Sequence, residues 1–272
     1  MRGGNIRQST VGHSEPLYTE IPASVSQGRP VVAAVWRRRA CGGRYVVLPD
    51  GQTDLLFRRS QGEWRGLIVG PLPLAMETEP TDDGLIGVRF ALGTARSVIG
   101  SSLEDLAGRM VPLEDLGLVA LLDPKLLESA YAHHAGLCGL GDALALRLPR
   151  RAPIDGRVVR AVALLAKEAA AVRDVACAVG ITERHLLRLF REEVGLSPKR
   201  LASLLRLQRA LSARGRTAAA WSIVAAAVGY CDEAHLVREV RALTGHAPTA
   251  LASAMSDSFN LGHTLAPISQ GA

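Results

Sequence analysis

Cysteine is scarce in this sequence and never closely paired. Cys41, Cys138, Cys177 and Cys231 lie far apart and form no Cys-x-x-Cys. That pattern excludes a zinc knuckle or a disulfide framework and leaves each as a small reduced hydrophobe. Long apolar runs are missing as well: no stretch approaches the ~18–20 residues that span a bilayer. The opening MRGGNIRQST lacks the apolar core of a secretion signal, so a cytoplasmic chain with no membrane partner is expected. Enzyme chemistry is hard to find. No serine-centred nucleophile motif occurs, and GVRFALGTAR (Gly87–Arg96) lacks the glycine pattern of a phosphate loop. His133 and His134 are adjacent, so they do not share a helix face as ligands spaced i, i+4 do, even with Glu128 and Asp142 nearby. Asp50 and Asp54 could pair in a pocket, but Asp50 is better explained by the Pro49–Gly51 turn. The expectation is therefore no catalytic residue, no metal and no cofactor.

The charge that is present is unevenly divided. Residues 1–150 hold 16 basic and 16 acidic side chains, whereas residues 151–250 hold 16 and 9. The net charge of +6 thus comes from one region, which points to a polyanion and to nucleic acid before membrane.

Organisation follows the same division. With 272 residues, two domains are natural at roughly 100–200 residues each. Residues 1–28 read as a flexible arm. Short runs rich in β-formers follow: Val31–Trp36, Arg44–Leu48, Thr53–Arg58, Gly66–Gly70 and Leu85–Ala91. Gly, Pro and Asp punctuate them, including PDG at Pro49–Gly51 and TDDG at Thr81–Gly84. Helical spacing takes over across 94–147. The fold class is α+β: a β-rich domain over 29–147, a sheet or small barrel with helices, then an all-α domain. Residues 148–156 read as a linker, 157–253 as the helical domain and 254–272 as a disordered tail.

The helical domain contains a duplication. VACAVGITERHLLRLF, Val175–Phe190, is echoed by VAAAVGYCDEAHLVREV, Val224–Val240, at an offset of 49 before the turn and 50 after it. Each copy has a short helix of small apolar residues, a Gly stop and a tight turn. An N-cap candidate follows, Thr182 or Asp232, with Glu183 or Glu233 next to it. The second helix runs to Gly195 or Gly245. Two helices joined by a short Gly-containing turn make a helix-turn-helix, spanning about 172–195 and 222–245 here. In the first copy Leu186, Leu189, Phe190 and Val194 form an apolar stripe, with Arg184, Arg188 and Arg191 on the other side. In the second, Leu236, Val240 and Leu243 form the stripe, and Ala234, Arg238 and Arg241 stand where the arginines were. An exposed, arginine-edged helix suits the major groove, where Arg bonds guanine in bidentate fashion. SPKRLASLLRLQRALSARG predicts a connecting helix of about 15 residues ending at Gly215, roughly 22 Å long. With flanking turns it could hold the two helices about one DNA turn, ~34 Å, apart.

The strings VACAVGITERHLLRLFREEVGLSPKRL and VAAAVGYCDEAHLVREVRALTGHAPTAL resemble the DNA-binding domain of the AraC/XylS family of bacterial transcription regulators, over about Ile154 to Leu251. The resemblance implies one chain reading two successive major-groove segments. It implies base contact by Arg184, Leu187 and Arg188, and by Glu233, Ala234 and Arg238, with Glu183 and Val237 beside them. Ala234 and Val237 offer apolar contact only, as to a thymine methyl. Phosphate-contact candidates are Arg157, Thr182, His185, Arg191, Lys199, Arg200, Arg206, Arg209, His235 and Arg241. The second copy departs from the family in Val240 and Tyr230, where Phe is usual. VLPDG-x-x-DLLF (Val47–Phe57) and GVRF (Gly87–Phe90) resemble a domain that precedes this module in some family members. In the wider family that position senses an effector or pairs subunits, and is often a β-barrel.

A sequence-specific transcription regulator modulated by a small molecule is the expectation. RNA polymerase and a second copy of the chain remain open as further partners. Alternatives are a regulator controlled only by its abundance, and an enzyme with a basic DNA-targeting module. A DNA-alkylation repair sensor would need a reactive cysteine cluster, which is missing.

Overall fold

The computed structural model describes residues 18–23, 31–39, 45–78, 84–167, 170–217 and 219–251. The N-terminal part holds strands β1 (Tyr18–Pro22), β2 (Val32–Arg38), β3 (Tyr45–Val47), β4 (Asp54–Ser60), β5 (Glu63–Val69), β6 (Met76–Thr78), β7 (Leu85–Phe90) and β8 (Met110–Pro112). Six of them form one sheet in the order β1-β2-β7-β4-β5-β8, and β3 pairs with β6 separately. Every pairing is antiparallel. Among the described residues β1 and β8 are opposite edges and do not pair, so the sheet is open rather than a closed barrel. Part of the segment expected to be a flexible arm is a strand. Tyr18–Pro22 pairs along its length with Ala34–Arg38, satisfying backbone groups at the β2 edge. Residues 1–17 and the expected tail, 254–272, lie outside the described residues.

Alternation along β7 decides the layers. Ile86, Val88 and Phe90 face a core shared with Val35, Leu55, Phe57 and Ile68. Helices α1 (Arg96–Ile99), α2 (Pro124–Ala132) and α3 (His134–Arg147) close that core through Val98, Leu127, Leu137, Leu140 and Leu144. The alternate β7 residues point the other way. Gly87 lies under the Trp36 indole, and a Cβ there would come within 1.9 Å of the ring, so no larger residue fits. Arg89 is 2% exposed and pairs with Glu20 at 3.1 Å, Asp54 at 3.3 Å and Asp50 at 4.0 Å. Burial alone would push its guanidinium down, but Asp54, Asp50 and Glu20 together hold it above its ordinary value. Trp36 Nε1 donates to Asp54 at 3.2 Å, and burial pushes the neighbouring Tyr18 hydroxyl up.

The C-terminal part is helical: α4 (Gly156–Lys167), α5 (Val172–Ala178), α6 (Glu183–Val194), α7 (Pro198–Thr217), α8 (Trp221–Val228) and α9 (Glu233–Thr244). Helix α7 continues past Gly215, where the sequence suggested a stop, and its 20 residues extend about 30 Å. It has two apolar faces. Leu201 and Leu205 join Val158, Val162, Val175, Leu186, Phe190 and Val194 in one core. Leu204, Leu207 and Leu211 join Trp221, Val224, Leu236, Val240 and Leu243 in another.

The two parts are packed together. Leu48, just after β3, enters the second helical core. Ala75 N–H donates to Leu243 O at 2.9 Å. The segment expected to be a linker is tied down, with Arg151 donating to Ile99 O, Leu116 O and Gly117 O.

Arg89→Met removes the buried cation that buried Asp50 and half-buried Glu20 and Asp54 share. Losing one partner of a buried ion pair costs about 3–5 kcal/mol, so the urea midpoint should fall by that equivalent. A change below about 1 kcal/mol would mean that the cluster does not hold the sheet.

Candidate nucleic-acid interface

The duplicated strings fold into matched geometry. In the first, α5 ends and Gly180 takes φ 72°, while Ile181 N–H donates to Ala176 O at 3.0 Å. In the second, α8 ends at Gly229 with φ 85°, and Tyr230 N–H donates to Ala225 O at 3.0 Å. Cys231 is the extra residue in the second turn, which accounts for the one-residue change in offset. Thr182 Oγ1 then accepts from His185 N–H at 3.2 Å, and Asp232 Oδ1 from His235 N–H at 2.6 Å. These caps start α6 and α9 at equivalent points. Both helices end alike: Gly195 (φ 77°) donates to Arg191 O and Gly245 (φ 76°) to Arg241 O.

The apolar stripes lie inward, with Leu186, Phe190 and Val194 in one unit and Leu236, Val240 and Leu243 in the other at 2% exposure or less. On the opposite side Glu183, Arg184, Arg188 and Arg191 of α6 are exposed, with Leu187 and His185 half-buried. On α9 the exposed set is Glu233, Ala234, Arg238 and Arg241, with Val237 and His235 half-buried. The structure thus brings every base-contact candidate of each unit onto one helix face. Thr182, exposed, caps that face.

The phosphate candidates are scattered more widely. Lys199 is exposed and Arg200 half-buried in the first turn of α7. Arg157 folds back on Asp155, with Nη2 to Oδ2 at 2.6 Å. Arg206 is turned toward the second unit: its Nε is 3.4 Å from Glu239 Oε2, it donates to Gly229 O, and its guanidinium lies 5.1 Å from the Tyr230 ring centroid. His235 meets the same Glu239 and lies edge-on to Tyr230. Burial, helped by neighbouring Arg206, pushes the Arg209 guanidinium below its ordinary value.

Residues that the sequence reasoning missed hold α6 from the N-terminal side. Arg96 of α1 pairs with Glu192 at 2.8 Å and Glu193 at 2.9 Å. Glu193 is buried, and burial pushes its carboxyl up against the pull of Arg96. In the duplicate the same position is Leu243, an ordinary core residue. That mismatch between the copies was the available signal that Glu193 meets a cation from elsewhere. Glu192 also receives Arg188 at 3.5 Å, and Arg188 lies 3.1 Å from His185 Nε2.

Other sequence candidates are engaged structurally. Gln52 N–H donates to Asp50 Oδ1 at 2.9 Å, the bond of an Asx turn. Glu128 accepts from Trp64 Nε1 and pairs with Arg59. Among the described residues no group of three or more His, Cys, Asp or Glu could hold a metal ion, and no helix is long and apolar enough to cross a membrane.

Removing either cap, by Thr182→Ala or Asp232→Ala, should lower the unfolding free energy by about 0.5–2 kcal/mol. Chemical denaturation measures it, and an unchanged midpoint in either variant would remove that side chain from the account of its helix.

Residues 175–254 match the helix-turn-helix domain family. Among solved structures, a transcriptional regulator with an AraC-type DNA-binding domain from Chromobacterium violaceum aligns with 38% of this chain and 95% of its own, at 24% identity and a TM-score of 0.35. A probable AraC family transcriptional regulator from Rhodopseudomonas palustris aligns with 36% and 96%, at 21% identity and a TM-score of 0.33. ToxT from Vibrio cholerae aligns with 89% of this chain and 99% of its own, at 9% identity and a TM-score of 0.44. No curated protein matches the chain in sequence. Two capped helix-turn-helix units tied by one helix, within the segment that the family pattern covers, make the C-terminal part of this chain a helix-turn-helix domain.

Proposed function

We propose that the chain is a sequence-specific DNA-binding transcription regulator that reads two successive major-groove segments with α6 and α9. The observation that carries this is the matched pair of exposed helix faces, each started by a side-chain cap and fixed to the same helix α7. Arg184 and Arg188 lie on the first face, and either can bond guanine O6 and N7. On the second, Arg238 does so while Ala234 and Val237 make apolar contacts. One half of the site is therefore richer in guanine contacts than the other. Lys199, Arg200, Arg191, Arg241 and the capped N-termini supply phosphate attraction, which falls with salt. Arg206 and Arg157 act within the protein instead, the first by orienting α9 through Glu239 and Tyr230, the second by closing the loop before α4.

A regulator of this kind works in the bacterial cytoplasm. Modulation by a small molecule at the N-terminal domain is part of the proposal. It is supported by the contacts that this domain makes with both units, through Arg96 and Glu193 on one side and Ala75 and Leu243 on the other. A change of shape there reaches both reading helices.

Selection from a random duplex pool should enrich one bipartite sequence, and Arg238→Ala should weaken binding to it by about 1–3 kcal/mol while relaxing preference at one base pair. A pool that shows no enrichment overturns the function. A variant that keeps the wild-type preference overturns the role of Arg238.

A further inference from the structure

Among the described residues, the first reading helix pairs with an acidic side chain of the N-terminal domain and the second does not. The 3-10 turn Leu103–Leu106 of the N-terminal domain lies along α6. Glu104 Oε1 is 3.5 Å from Arg191 Nε, and one groove is lined by Ser102 and Glu104 on one side and by Thr182, Arg184, Arg188 and Arg191 on the other. The contact is tight at its base. Leu103 is buried, and a Cβ on Gly195 would come within 2.6 Å of both Leu103 O and Pro71 Cγ. At Gly245, the equivalent end of α9, a Cβ would meet nothing within 4 Å. Asp105, next to Glu104, is exposed.

We propose that this turn is an autoinhibitory contact that competes with the DNA backbone for the first reading helix. The inference rests on the DNA-reading function above. A helix in the major groove is flanked by phosphates on both walls. With α6 in the groove, one phosphate wall runs beside its arginine edge, the side on which Glu104 now meets Arg191. A carboxylate and a phosphate cannot both occupy the Arg191 guanidinium without strong like-charge repulsion. The Glu104–Arg191 pair is about half exposed on both sides, so it is weak and a phosphate can displace it. Leu103 and the pair between half-buried Arg96 and buried Glu193 hold the turn in place until the N-terminal domain shifts. The first unit is thereby the regulated half of the reader. Among the described residues no acidic turn meets Arg238 or Arg241, so the second engages DNA without such a displacement.

The test uses the full chain and a labelled duplex from the random-pool selection. Glu104→Gln with Asp105→Asn is compared with Glu114→Gln with Asp115→Asn. The second pair is equally exposed, belongs to the same domain and does not line the groove. The first variant should bind about three- to tenfold tighter than wild type, and the control less than about twofold. Amide exchange at Leu103–Leu106 should speed up when wild type binds DNA. Equal gains from the two variants would mean that net charge alone acts, and would overturn the proposal. So would amides that exchange no faster in the complex. If neither the wild type nor any variant enriches a sequence from the pool, the DNA-reading function itself fails, and the autoinhibitory contact with it.

Discussion

Helix α7 is the constraint on which the C-terminal domain depends. Leu201 and Leu205 belong to the core of the first unit, while Leu204, Leu207 and Leu211, rotated around the same helix, belong to the core of the second. Neither unit buries its own short helices without this third element. A helix of seven or eight residues such as α5 or α8 is too short to be stable alone, so packing decides its existence. Because both cores share one rigid rod, the separation of α6 and α9 is set by the length of α7 rather than by a flexible link. Relative placement of the two exposed helix faces is thus a property of one hydrophobic pattern, and Arg206 sharpens it by tying the rod to Glu239 of α9.

The two units are built alike but held differently. At the buried end of α6 a carboxylate, Glu193, stands where α9 has Leu243, and its partner Arg96 comes from the N-terminal domain. The first unit is therefore fastened to the sheet domain by this charge pairing as well as by the packing of Leu103 at Gly195 and of Leu92 on its core, and the second by a backbone hydrogen bond from Ala75 and by the apolar insertion of Leu48. Charge contacts of this kind can be exchanged for contacts with another polyanion, whereas Leu48 has no reason to leave its core. Such an asymmetry suits a reader in which one half responds to the state of the N-terminal domain. The sheet domain owes its own rigidity to a different device. There the cluster of Glu20, Asp50 and Asp54 about Arg89 fixes strands β1, β4 and β7 on the face away from the helices.

Much of the helical domain was legible in the sequence, because its signals are local. Gly180, Gly195, Gly229 and Gly245 all take the left-handed conformation that their positions after helical runs suggested, and Thr182 and Asp232 cap as their side chains allow. Strands β2, β4, β5 and β7 were legible from β-branched and aromatic runs. Strands β6 and β8, of three residues each, were not, because MET and MVP are too short to show alternation. Strand β1 hid in a polar segment ending in Pro22, and its strand character comes from pairing with β2. The faces of α6 and α9 followed from helical period. What their arginines touch did not. Arg206 finds Glu239, Arg191 finds Glu104 and Glu193 finds Arg96 only through the tertiary fold, and the sole hint was a charged residue breaking the repeat at Glu193.

The central claim is that one chain presents two helices to successive major grooves at a spacing fixed by α7. Hydroxyl-radical footprinting of the full chain on its selected duplex, at a measured one-to-one stoichiometry, tests it most directly. Two protected tracts on one face of the duplex, about ten base pairs apart centre to centre, are the predicted result. A single protected tract under the same conditions, or two tracts out of phase with the helical repeat, would contradict it.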